Sequence, residues 1–151
     1  AAPQERNLIM IYDKLNTFGT DQAVTTTAAS TDIIDLGVVR DIGNGEPMEL
    51  VILCTETATA SGSATVTFTL ETDDNSGFSS AAVLASSGAI GKAALTAGTE
   101  VLRVKVPLGV ERYLRTNYTV ATGPLTAGKF TAFLAHDRQA NTAYASGFTV
   151  S

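Results

Sequence analysis

Few side chains in this chain of 151 residues are equipped for chemistry. It contains one histidine and one cysteine. A zinc site built from those two residue types therefore fails on ligand count. His136 stands beside Asp137. A catalytic triad needs groups oriented across a fold, and sequence neighbours rarely orient one another that way, so the pair reads as a strand end near solvent. Cys54 lies in the most apolar stretch. Reactive thiols need exposure and a nearby positive charge, so Cys54 reads as buried and inert. Glu49 and Glu56 are candidates for the paired carboxylates of a glycosidase. There is no tryptophan to stack on a sugar, though four tyrosines keep a glycan-binding reading open.

Gly43-Asn44-Gly45 has no third glycine and leads toward a strand, so it reads as a turn and not as a phosphate loop. Glu71-Thr72-Asp73-Asp74-Asn75-Ser76-Gly77 clusters oxygen ligands. A calcium loop counted from Glu71 would need glycine at its sixth position and glutamate at its twelfth, where Ser76 and Ala82 stand. An acidic solvated turn fits better than a weak calcium site. Asn117-Tyr118-Thr119 matches a glycosylation sequon but falls inside a predicted strand. No catalytic residue, cofactor or metal is expected, and no enzymatic activity.

The elements that would position these residues are strands. Residues 63–71 alternate, with Ala64, Val66, Phe68 and Leu70 on one face and mostly threonine on the other. Residues 101–106 repeat the pattern, with Leu102, Val104 and Val106 inward and Arg103 and Lys105 outward. Residues 48–55 are apolar at nearly every position, as in a strand covered on both faces. Further strands are predicted at 113–121, 129–136, 33–36 and 82–86. Residues 8–15 are ambiguous, and 19–30 are weakly patterned. Glycine, asparagine and aspartate turns separate the strands. The sequence Leu-Thr-Ala-Gly occurs at 95–98 and at 125–128, each time leading into a strand, which reads as a reused turn. Seven or eight short strands without intervening helices predict an all-β antiparallel fold, a sandwich or a jelly roll. Residues 1–18 are read as an N-terminal arm and 19–151 as a single domain, a size at which one core suffices.

Bulk properties exclude several classes. The formal net charge is −5. An acidic chain lacks the basic footprint of phosphate binding, so no direct nucleic-acid contact is expected. No apolar run approaches the ~20 residues needed to span a bilayer, and no membrane partner is expected. One cysteine allows no intrachain disulfide. With no apolar signal core at the N-terminus, a cytosolic product is expected.

The sequence resembles the capsid cement, or decoration, proteins of short-tailed bacteriophages of the Bordetella-phage type. The blocks that carry the resemblance are TDQAVT at 20–25, AASTDIIDLG at 28–37, RDIGNGEPM at 40–48, the turn at 73–79, and RYLRTNYTVATGPLTAG at 112–128. The resemblance implies a jelly-roll-like fold on the exterior of the capsid in the virion. It implies the major capsid protein as partner and a homo-oligomer, a dimer favoured over a trimer. The competing reading is another virion β module, a tail part or a receptor- or glycan-binding component. Candidate capsid or oligomer contacts are Arg6, Leu8, Ile9, Ile11 and Tyr12 in the arm, which mix charge with apolar anchors. For 8–12 the alternative is simple pairing with the sheet. Arg40 and Asp41 could form ion pairs across an interface, or sit in a solvated turn. If Phe130, Ala132 and Leu134 face the core, Phe133 points away from it, into an oligomer interface or under a loop.

Overall fold

Period-two alternation buries one face of each central strand, and in the computed structural model two such faces meet. The structure describes residues 12–136. Its strands are β1 (Thr17–Ala23), β2 (Ala28–Ala29), β3 (Ile34–Asp35), β4 (Glu49–Thr59), β5 (Thr65–Asp73), β6 (Ala82–Gly91), β7 (Thr99–Lys105), β8 (Tyr113–Ala121) and β9 (Ala127–Ala135). One sheet has the order β1-β9-β4-β7, and the other β2-β8-β5-β6 with β3 also on β8. All pairings are antiparallel.

The pairing is nested. β1 pairs with β9, β2 and β3 with β8, β4 with β7, and β5 with β6. Counting β2 and β3 as one interrupted strand gives eight, wrapped as the jelly roll that the resemblance implies. The nesting sends connections 36–48, 74–81 and 106–112 to one end of the sandwich. Thr17, at the start of β1, and Ala135, at the end of β9, lie at that end as well, the first opposite Phe133 and the second opposite Glu49.

Between the sheets lie Leu50, Ile52, Phe68, Leu70, Leu114, Tyr118 and Phe130, all fully buried. Phe68 meets Phe130 edge-on at 5.0 Å and Tyr118 at 5.7 Å, the geometry aromatic quadrupoles favour. The Tyr118 hydroxyl accepts from the Thr116 hydroxyl at 3.2 Å, and burial pushes its pKa up to about 12. The repeated Leu-Thr-Ala-Gly turns occupy the opposite end. Leu95 and Leu125 both plug the core there, and the glycines that follow, Gly98 and Gly128, have φ of 83° and 151°. Turn reuse is thus packing reuse.

Three expectations are corrected. Residues 19–30 look weakly patterned, yet they hold most of β1 and all of β2. Register shifts between Thr17 and Gly19 and between Gly19 and Gln22, with Asp21 at φ 48°, break the period that marks a strand. The arm boundary expected after residue 18 falls inside β1, because Phe18 is wholly buried in the core. Residues 14–16, at the end of the ambiguous stretch and one residue past it, form a 3-10 turn capped by the Asp13 carboxylate, which accepts from Leu15 N–H at 2.9 Å.

Candidate functional site

The chemistry-bearing residues are spread apart and occupied. Glu49 and Glu56 lie seven residues apart on β4, roughly 20 Å or more at about 3.3 Å per residue. Arg103 pairs with the first at 2.8 Å and Lys129 with the second at 3.3 Å. A glycosidase pair needs its carboxylates within about 10 Å. Cys54 is buried, and desolvation pushes its thiol up to about 11. His136 is exposed just past β9, and Asp137 lies outside the described residues. Gly43 has φ 78°, and a Cβ there would sit 2.8 Å from the Met48 nitrogen, so the Gly43-Asn44-Gly45 segment is a tight turn that needs glycine.

What stands out is a one-sided surface. Among the described residues six large apolar side chains are exposed: Leu15, Ile33, Val38, Val39, Val83 and Leu108. All six sit at the end of the sandwich that gathers connections 36–48, 74–81 and 106–112. Val38 and Val39 lie in the first connection, and Leu108, 69% exposed, in the third. Val83 is the second residue of β6, Leu15 precedes β1, and Ile33 precedes β3. At the far end the loop residues Val24, Leu95 and Leu125 turn inward and are buried.

The loops at this end are tied together. One Asp41 carboxylate oxygen accepts from the N–H groups of Gly109, at 2.7 Å, and Val110, at 3.0 Å, joining the Val38–Val39 loop to the Leu108 loop. The buried Thr72 hydroxyl accepts from Glu111 N–H at 2.8 Å and donates to the Tyr113 carbonyl at 2.9 Å, joining β5 to the Leu108 loop. Arg112 grips Asp35 through two hydrogen bonds, of 2.8 and 3.0 Å, and holds that carboxyl at about 2. The buried Asp73 carboxylate accepts from Ser80 N–H at 2.7 Å and Asn75 N–H at 3.0 Å, which closes the 74–81 loop and lowers its pKa. Arg115 lies over the Phe78 ring at 4.3 Å while pairing with Glu71 at 2.7 Å.

Asp73, Asp74 and Glu111 bring carboxylate oxygens within 4.8 Å of one another. The acidic turn was legible in sequence, but Glu111 was not, because only the β5–β8 pairing brings it there. Val38, Val39 and Leu108 were also missed. Their signal was present, since apolar residues inside glycine- and proline-bounded loops break binary patterning unless something covers them.

The expected contact residues divide. Arg6, Leu8, Ile9 and Ile11 lie outside the described residues. Arg40 and Asp41 are exposed at the apolar end. One oxygen of the Asp41 carboxylate binds two N–H groups of its own chain, while the residue stays exposed. Phe133 does point away from the main core, with Val51 and Leu53. It is nonetheless fully buried, because Tyr12 stacks on it with centroids 4.6 Å apart and an 11° interplanar angle. The chain's own segment covers Phe133, so the interface reading of that residue gives way to the alternative of cover within the chain.

No helix among the described residues is long and apolar enough to cross a membrane. No curated protein matches the chain. The model of the Bbp16 family, a family of Bordetella-phage proteins, matches residues 18–134, from the first strand of the sandwich into the last, and the chain belongs to that family.

Proposed function

We propose that this chain is a capsid cement protein. It attaches to the outer surface of a tailed-phage shell, bridges subunits of the major capsid protein and stabilises the mature lattice. The observation that carries the reading is the one-sided placement of exposed apolar side chains on a phage-family jelly roll. A module that binds a shell from outside needs one adhesive end and inert flanks. The irregular sheet edges fit such a module. β6 carries two register shifts against β5, and β7 carries Arg103 and Lys105, features that discourage uncontrolled strand addition.

Such a protein works by mass action. A ligand that binds only the assembled lattice stabilises it by about 4 kcal/mol per site when free ligand is near 1,000 times Kd. A homo-oligomer, for which we favour a dimer, adds avidity because its second contact is intramolecular. Expansion-dependent attachment requires tighter binding to expanded shells than to unexpanded ones.

Decoration of empty shells tests the reading. Purified protein mixed with expanded and unexpanded shells is expected to cosediment with the expanded form and raise its melting temperature. Binding to neither form, or no change in melting temperature, sinks the cement function.

A further inference from the structure

The apolar end carries a charge pattern that specifies the chemistry of its partner. In the three loops and the strand ends that bear them, Asp41, Glu46, Asp74 and Glu111 have no basic partner among the described residues. Among the described residues, two bases without an acidic partner stand against them, Arg40 and Lys105. The other described cations near this end are neutralised within the chain, Arg112 by Asp35, Arg103 by Glu49, Arg115 by Glu71 and Lys14 by Asp32. The surface left over is an exposed apolar centre of Val38, Val39 and Leu108 with an acidic rim.

We propose that this end docks onto a protein surface with an apolar depression rimmed by lysine and arginine, the rim cations facing Asp74, Glu111 and Glu46. This deepens the cement reading and rests on it for the partner's identity. Three physical arguments favour such a partner. Exposed valine and leucine at loop tips gain from leaving water only against apolar atoms. Three carboxylates whose oxygens approach within 4.8 Å repel one another, and a partner cation beside them relieves that repulsion. The loops are fixed in advance by Asp41 and Thr72, so little ordering entropy is lost on docking. A nucleic acid or an anionic membrane is disfavoured by the same rim, and a basic-rimmed protein surface is the occupant it fits.

Two arms of one experiment test this. The first measures cosedimentation with expanded shells across a salt series, for wild type, Val39→Ser/Leu108→Ser and Asp74→Asn/Glu111→Gln. All three proteins should melt alike, since the changed side chains are exposed or half-exposed. The apolar variant is expected to bind at least about tenfold more weakly at every salt concentration. The charge variant is expected to bind several-fold more weakly at low salt and to lose most of the salt dependence seen in wild type. The second arm measures retention on a phenyl-amine mixed-mode matrix, an apolar cationic probe independent of any capsid. Both variants are expected to elute earlier than wild type. Shell binding retained by both variants overturns the docking surface while leaving the cement reading intact. No shell binding by wild type, together with variant-sensitive retention on the matrix, overturns the cement reading and leaves the docking chemistry standing. Retention insensitive to both variants overturns the docking proposal by itself.

Discussion

Replacing Phe133 by alanine separates two accounts of one buried ring. Phe133 is fully buried, lies opposite Val51 across the β4–β9 ladder and stacks on Tyr12. If its cover comes from its own chain, truncation removes a complete aromatic side chain from a packed site. The cost is about 3–5 kcal/mol. For a protein of this size that lowers Tm by roughly 6–20 °C, at about 2–4 °C per kcal/mol. Tyr12 is only partly buried, so Tyr12→Ala costs less. The double variant then isolates the stack, with an expected coupling of about 0.5–1.5 kcal/mol. Urea unfolding followed by circular dichroism measures all four proteins, each over a hundredfold range of concentration. The loss in Phe133→Ala is expected to be the same at every concentration. A loss that disappears on dilution would return Phe133 to an oligomer interface, and wild-type stability at all concentrations would refute its burial altogether.

Three further outcomes follow from the same packing. Cys54, with its thiol pushed up to about 11, is expected to resist alkylation at pH 8 in the native protein and to react readily in 6 M guanidinium; fast labelling of the native form contradicts its burial. The folded pKa of Asp35 is lowered from 3.8 to about 2, and that of Asp73 is lowered as well, so each contributes stability that is present above the unfolded pKa and lost as pH falls through its folded pKa. Tm measured between pH 5 and 2 should fall, and Asp73→Asn should flatten part of that fall; a slope unchanged by the substitution removes Asp73 from the explanation. Gly43→Ala places a Cβ against the Met48 nitrogen at a positive φ and is expected to cost about 1–3 kcal/mol in urea unfolding, whereas Gly45→Ala, with open space around its Cβ, should cost much less.

The central strands were readable because each carries a pattern that burial alone creates. Residues 63–71 show one wet face, and β5 buries Val66, Phe68 and Leu70 as that pattern requires. Residues 48–55 show no wet face, and in β4 Leu50 and Ile52 enter the main core while Val51 and Leu53 pack on the other side with Phe133. β1 was not readable, since two register shifts and a positive φ at Asp21 scramble its alternation. The apolar end was readable least of all. Val38, Val39 and Leu108 look like stray residues until the nested pairing brings loops some seventy residues apart against each other, with Asp41 bonded to Gly109 across that gap. Glu111 joins Asp73 and Asp74 for the same reason. Local periodicity reports what each strand buries. It carries no information about which loops the topology gathers.

The central claim is that this jelly roll coats a capsid through one end. The most direct measurement is a cryo-electron microscopy reconstruction of the virion containing the chain. The expected result is hundreds of copies on the outer surface of the shell, each with connections 36–48 and 106–112 facing the major capsid protein. A handful of copies confined to the tail, or a lattice of copies whose Val38, Val39 and Leu108 point to solvent, contradicts it.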